Sequence, residues 1–196
     1  MSFIYFFVYI LLVAIIAFDI YFGIKLFEYI YCASIRHQPP LVASNQHERQ
    51  LVVDQIKNKY PKAKNICELG SGFGGLARTI ARNTKANVYA LENMPFSAFV
   101  SKTSDILLRC KNNHTIFSDA FEYLKTTNKH FDIAVAYLGP TATPMIYKHK
   151  NKIDVLISLD FEIKELKPKY VIDMGHGYTI YKRIKYPHRL FIYEFK

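Results

Sequence analysis

The run Asn65-Ile66-Cys67-Glu68-Leu69-Gly70-Ser71-Gly72-Phe73-Gly74-Gly75-Leu76 leaves few folds open. Ile66 and Leu69 read as a buried strand. The glycines that follow stand where a backbone must turn sharply, approach a ligand without Cβ atoms and pack a helix close to its strand. Leu76, Ala77, Ile80 and Ala81 then give the one-sided apolar spacing of a helix lying on a sheet. A strand, a glycine turn and a helix in this order form the opening of an α/β nucleotide-type site.

Two ligand classes use such a loop. Gly70, Gly72 and Gly75 satisfy the dinucleotide spacing G-x-G-x-x-G. Glu68, Gly70, Gly72 and Gly74 satisfy the E/D-x-G-x-G-x-G spacing used for S-adenosylmethionine (AdoMet). An acid two residues before the first glycine suits a cationic sulfonium donor and is unhelpful beside a pyrophosphate held by helix-terminus amides, so AdoMet is favoured.

After the loop the chain alternates in the manner of a parallel sheet. Strands are expected at 87–92, 114–119 and 131–138, with helices at 95–110 and 121–125 between them. Residues 152–166 are ambiguous: Ile157, Leu159, Phe161 and Ile163 alternate like a strand where the chain order calls for a helix. Tyr170–Met174 is the next expected strand. Tyr178–Ile184 and Arg189–Phe195, separated by Tyr186-Pro187-His188, read as a closing antiparallel hairpin, and Gly175-His176-Gly177 as a turn. Upstream, Asn45 with Glu48 three residues later resembles a helix start, closed by Tyr60-Pro61.

The N-terminal end differs in kind. Residues 3–24 are apolar except for Asp19, and a helix of this length reaches about 33 Å, enough for the hydrocarbon core. No Lys or Arg precedes the run and Lys25 and Arg36 follow it, so the charge bias puts the remainder on the cytoplasmic side, or the matrix side in a mitochondrion. A length beyond an ordinary signal core and the lack of a small-x-small site favour an uncleaved anchor. Pro39-Pro40 ends any helix. The expected domains are an anchor at 1–33, a linker at 34–44 and a catalytic domain at 45–196. Acids and bases balance in residues 1–50, so the net charge of +10 falls in 51–196 and attracts that part to anionic surfaces such as phospholipid headgroups. Cys32, Cys67 and Cys110 show no ligand spacing, which fits a reduced compartment.

Open parallel sheets bind ligands at the carboxyl ends of their strands. Glu92, about 20 residues past the loop, is placed to accept ribose hydroxyls, with Asn93 beside it. Asp119 and Ala120 follow the third strand, where Asp119 would accept the adenine amine or cap a helix. Tyr137 and Pro140, in Tyr137-Leu138-Gly139-Pro140, close the fourth strand where the methyl acceptor would arrive. This is not the Asn/Asp-Pro-Pro-Tyr box of enzymes that methylate amino groups of nucleobases or glutamine, so no nucleic-acid partner is expected. The histidines are scattered and no metal is assigned.

Glu68-Leu69-Gly70-Ser71-Gly72, Ala90-Leu91-Glu92-Asn93-Met94-Pro95, Phe117-Ser118-Asp119-Ala120 and Phe131-Asp132-Ile133-Ala134-Val135-Ala136-Tyr137 together resemble the small membrane-anchored seven-β-strand lysine methyltransferases that act on ATP synthase c-subunit and adenine nucleotide translocase. Members often have Asp at the place of Glu68 and a second acid at that of Phe73. The resemblance implies a Rossmann-like class I methyltransferase sheet, AdoMet held by Glu68, Gly70, Ser71, Gly72, Gly74, Glu92, Asn93, Asp119 and Ala120, and a lysine of a membrane protein as acceptor. A lipid or quinone methyltransferase, a non-catalytic AdoMet-binding module and a dinucleotide oxidoreductase are the other readings.

Overall fold

A computed structural model describes residues 2–30, 43–181 and 183–196, and the chain divides into two compact units, Met1–Leu41 and Val42–Lys196. The first unit is described as one helix, α1 (Ser2–Ile30). Within it Tyr5–Ile24 has a mean hydropathy of 2.4 and is long and apolar enough to cross a membrane. Residues 34–42 of the expected linker, with Pro39-Pro40, and Cys32 lie outside the described residues.

The second unit is a seven-stranded sheet in the order β3-β2-β1-β4-β5-β7-β6. Its elements are α2 (Gln46–Lys59), β1 (Asn65–Leu69), α3 (Gly75–Asn83), β2 (Asn87–Glu92), α4 (Pro95–Leu107), β3 (Asn113–Phe117) and α5 (Ala120–Thr126), followed by β4 (Phe131–Ala136), α6 (Thr143–Ile146), β5 (Ile153–Leu159), β6 (Tyr170–Tyr181) and β7 (Ile184–Glu194). The first five strands pair in parallel, whereas β7 runs antiparallel to both β5 and β6. The order reverses between β1 and β4, and that switch point puts the glycine loop at the open crevice of the sheet.

Two apolar layers hold the sheet. Successive residues of a strand point to opposite faces, so a strand covered on both sides reads as a nearly unbroken apolar run. Ile66, Val88, Ile133 and Val135 meet Val52, Val53 and Ile56 of α2 and Leu76, Ala77 and Ile80 of α3. Cys67, Leu69, Leu91, Ala134 and Ala136 meet Leu124 of α5 and Ile146 of α6 on the other face. Burial pushes the Cys67 thiol well above its ordinary value. The N-terminus of α2 is closed reciprocally: Asn45 Oδ1 accepts from Glu48 N at 2.9 Å, and Asn45 N donates to Glu48 Oε2 at 2.8 Å.

Four expectations need correction. Of the ambiguous stretch, Ile153–Leu159 is strand and residues 160–169 contain no helix, because Leu156, Ile157 and Leu159 are buried between β4 and β7. Tyr178–Tyr181 is the outer part of β6 rather than a hairpin limb of its own, and Tyr181 pairs with Ile184, where β7 begins. Tyr186-Pro187-His188 lies inside β7, with Pro187 opposite Tyr178. β5 pairs with β7 only from Leu190 onward, so Pro187 sits where one flank of β7 has no ladder to donate to. Gly175 and Gly177, expected in a turn, form an irregularity of β6 between Asp173 and Tyr178.

Candidate functional site

β1 delivers Glu68 and then the loop. Gly70 N and Ser71 N both donate to Leu91 O, at 3.0 and 2.9 Å, which folds the loop over the end of β2. Gly70, Gly72 and Gly74 have φ of +74°, +54° and +72°, a region that side-chain-bearing residues avoid. A Cβ on Gly70 would stand 2.5 Å from Leu138 Cδ2, so the loop lies directly against the segment that leaves β4.

Acid chemistry gathers under this loop. The buried Glu68 carboxyl is pushed up to about 8, chiefly by desolvation and further by the neighbouring Glu92, against the pull of an Ala77 backbone bond and of Arg49 and Arg78. Its Oε2, and the Oγ of Ser71, are buried with no hydrogen-bond partner. Buried polar atoms are nearly always paired. Of the three orphans among the described residues, Asn113 Oδ1 lies on β3, while Glu68 Oε2 at the end of β1 and Ser71 Oγ in the loop after it are three residues apart and fit a ligand that supplies partners. Glu92 braces the loop: Oε2 accepts from Gly72 N at 2.6 Å and Oε1 from Met94 N at 2.8 Å. A carboxylate oxygen accepts more than one bond, so bracing and ribose contact are compatible. Asn93 follows it, half-buried.

Asp119 stands at the same rim, one residue after Ser118, whose N donates to Glu92 O at 3.0 Å. Its Oδ1 caps α5, accepting from Phe121 N at 2.9 Å and Glu122 N at 3.1 Å, and Ala120 is buried behind it. Glu68, Ser71, Glu92 and Asp119 thus occupy the carboxyl ends of β1, β2 and β3.

The residues after β4 and β5 form a second cluster. Tyr137 Oη donates to Asp160 Oδ2 at 2.5 Å, and Thr179 Oγ1 donates to the same oxygen at 2.6 Å. His188 Nδ1 lies 3.1 Å from that oxygen and Arg189 N donates to Oδ1 at 3.2 Å. Glu48 of α2 completes the group, 3.9 Å from His188 Nδ1. Asp160 is buried and holds φ +61° at the end of β5, a strained setting for a residue with a side chain. Gly177 makes room for the cluster, since a Cβ there would lie 2.5 Å from His188 Cδ2. Burial, and then the bond to Asp160, raise the Tyr137 hydroxyl far above its ordinary value, so it stays protonated. Pro140 lines a cavity of about 320 Å³ with Asp160, Glu162, Lys164, Glu165 and Arg189.

Tyr137 and Pro140 are therefore brought to one place, around a residue the sequence reading did not single out. Asp160 ends an apolar strand as Glu92 does, which was the available signal. Thr179, His188 and Glu48 carried none, being joined to Asp160 only through the pairing of β5, β6 and β7 and the packing of α2. Arg49 was also missed: its guanidinium lies 2.6 Å from where a Gly75 Cβ would be and is one of the two cations acting on Glu68. Among the described residues no group of three or more His, Cys, Asp or Glu side chains is placed to hold a metal ion.

No protein-family model matches the sequence, and no curated protein matches it. Solved structures do match the fold. An RNA methyltransferase from Salinibacter ruber, in complex with S-adenosyl-L-homocysteine, superposes with a TM-score of 0.60 at 16% identity, over 79% of this chain and 94% of that one. A precorrin 8w decarboxylase from Methanobacterium thermoautotrophicum gives 0.60 at 17% identity, over 81% and 94%. An O-methyltransferase from Bacillus cereus, in complex with SAH, gives 0.54 at 16% identity, over 69% and 66%. The second unit has the class I methyltransferase fold.

Proposed function

We propose that this chain is an AdoMet-dependent methyltransferase, with residues 45–196 as the catalytic domain, residues 1–33 as a single-span anchor and 34–44 as the linker, acting on a lysine side chain of a membrane protein. The observation that carries the donor half is the pair of orphaned buried atoms, Glu68 Oε2 and Ser71 Oγ, beneath a glycine loop with left-handed φ at Gly70, Gly72 and Gly74. A cationic, hydroxyl-rich ligand answers both the acid and the unpaired oxygens. The bound S-adenosyl-L-homocysteine of the Salinibacter ruber structure adds support by analogy of fold alone.

The donor supplies a methyl carbon on a positive sulfur, open to direct displacement. Glu68, Gly70, Ser71, Gly72, Gly74, Glu92 and Asn93 would hold it, with Asp119 and Ala120 at the adenine. The protein's contribution is alignment of acceptor and donor at near-attack distance. A lysine acceptor must be neutral to attack, which at pH 7 costs about 4.6 kcal/mol for an ordinary amine. Tyr137, held protonated, cannot take that proton; it orients the acceptor. The cavity beside Pro140 is lined by Asp160, Glu162 and Glu165 but also by Lys164 and Arg189, so its field is only weakly negative and gives a cationic side chain at most a slight attraction.

Incubating the full chain with radiolabelled AdoMet and membranes tests this. Label on a protein band, stable as methyl-lysine, is expected. Label confined to the lipid extract rejects the lysine acceptor in favour of a lipid or quinone, and donor binding without transfer to any fraction rejects turnover.

A further inference from the structure

Helix α4 is amphipathic the wrong way round for a helix on a sheet. Ser97, Ser101 and Asp105, spaced four apart, make up its buried face with Ala98. Asp105 and Ser101 are held by polar contacts: Asp105 accepts from Asn113 Nδ2 at 2.8 Å and from Thr115 Oγ1 at 2.7 Å, pairs with Arg78 at 3.3 Å, and Ser101 Oγ meets Thr115 Oγ1 at 2.9 Å. The apolar face points outward, with Phe99 68%, Ile106 71% and Leu107 76% exposed. Phe117, on the edge strand β3 beside it, is exposed as well. Exposed apolar patches of this kind mark an interaction surface.

The charge around the patch has one sign. From Pro95 to Ser118 the only acid is Asp105, which is buried, while Lys102, Arg109 and Lys111 are exposed. These three cations and His114 line a cleft of about 500 Å³ between the end of α4 and β3, with Ile106 at its side. We propose that the outer face of α4 and the adjoining edge of β3 dock on an anionic phospholipid surface, with Phe99, Ile106, Leu107 and Leu108 entering the interface and Lys102, Arg109 and Lys111 meeting lipid phosphates. An apolar helix face with a basic rim is the arrangement of an interfacial helix. The apolar segment Tyr5–Ile24 of the same chain, read as a span, keeps a bilayer within reach.

A second copy of the chain fits less well, because a twofold contact through this face sets its cations against themselves. Nucleic acid uses the cations and leaves three adjacent aliphatic side chains, Ile106, Leu107 and Leu108, without a role. The inference goes beyond methyl transfer and does not require it.

The chain contains no tryptophan, so Ile106→Trp provides a single emitter at an exposed position. The full chain carrying it is reconstituted into vesicles of phosphatidylcholine and phosphatidylglycerol with brominated acyl chains. Blue-shifted, bromine-quenched emission is expected, with Lys125→Trp, on the far face of the sheet, left unquenched. Adding Lys102→Gln, Arg109→Gln and Lys111→Gln, or removing phosphatidylglycerol, lowers the docked-to-undocked ratio, by about fivefold per cation removed. Unquenched Ile106→Trp emission overturns the proposal, as does equal quenching at Lys125→Trp. Shielding that instead follows doubling of the particle mass, or addition of an RNA oligomer, overturns it in favour of those partners. AdoMet titration of the same vesicles reads the donor site separately, so loss of docking with donor binding intact removes this inference alone.

Discussion

The two halves of the sheet leave their polar groups in opposite conditions. Under the glycine loop, Glu68 Oε2 and Ser71 Oγ are buried and unpaired. Beyond β4, the carboxylate of Asp160 is saturated by Tyr137, Thr179, His188 and Arg189 N. One half leaves buried oxygens without partners; the other is a closed hydrogen-bond knot that fixes a rim. Donor affinity should therefore respond to changes in the first half, and stability to changes in the second.

The largest effect separates them. Asp160→Asn keeps a residue that tolerates left-handed φ but deletes the charge that several donors share. It should lower unfolding free energy by about 3 kcal/mol, read by denaturant titration, with transfer to any acceptor lost. Donor affinity at temperatures where the variant is folded should stay within a few fold of wild type. A parallel loss of donor binding would join the two halves into one cooperative site.

Glu92→Ala makes the converse cut. It removes the acceptor for Gly72 N and Met94 N, so the loop loses two charge-assisted bonds of about 1.5–3 kcal/mol each. Calorimetry should show AdoMet affinity down at least about tenfold for each bond lost. Unchanged affinity would place the pocket elsewhere.

The same contrast governs what could be read from sequence. The donor half is written in one contiguous run, because a strand, a sharp turn and a close-packed helix each demand particular residue types in order. The acids at Glu92 and Asp119 follow from strand ends. The second half is assembled across the sheet: Glu48 and His188 are far apart in the chain and meet only because β7 returns beside β5 over α2. Pro187 misled the reading of the hairpin, since proline ordinarily ends a strand and here occupies an unpaired flank. Helix α4 was legible as a helix, but the inward direction of Ser101 and Asp105 depends on Thr115 and Asn113 of β3, which no local pattern reveals.

Proton linkage gives the next effect. The Glu68 carboxyl is raised to about 8 in the folded chain against an ordinary value near 4.5. The unfolded chain then loses this proton first, so the group's contribution to stability is intact below about pH 4.5 and is lost as pH rises to 8. Glu68→Gln should flatten that decline. A cationic donor favours the ionised form, so its binding expels the proton. AdoMet affinity should rise with pH by up to about tenfold per unit below 8 and then level, whereas the uncharged 5′-methylthioadenosine should show no such slope. Equal slopes for both would mean that Glu68 does not face the donor's charge.

The smallest effect tests whether α2 ties the halves together. Its first turn carries Glu48 towards His188 and Arg49 towards the glycine loop, and Arg49 Nε donates to Ser44 Oγ at 3.1 Å. Asn45→Ala removes the side-chain half of the capping box and should cost about 1 kcal/mol in thermal unfolding. If α2 merely covers the sheet, donor affinity and acceptor turnover should both be unaffected once the protein is folded. If its N-terminus sets both clusters, AdoMet affinity and transfer rate should fall together by a few fold. Arg49→Lys then distinguishes the routes, because it keeps the charge near Glu68 while giving up the planar guanidinium stacked under Gly75.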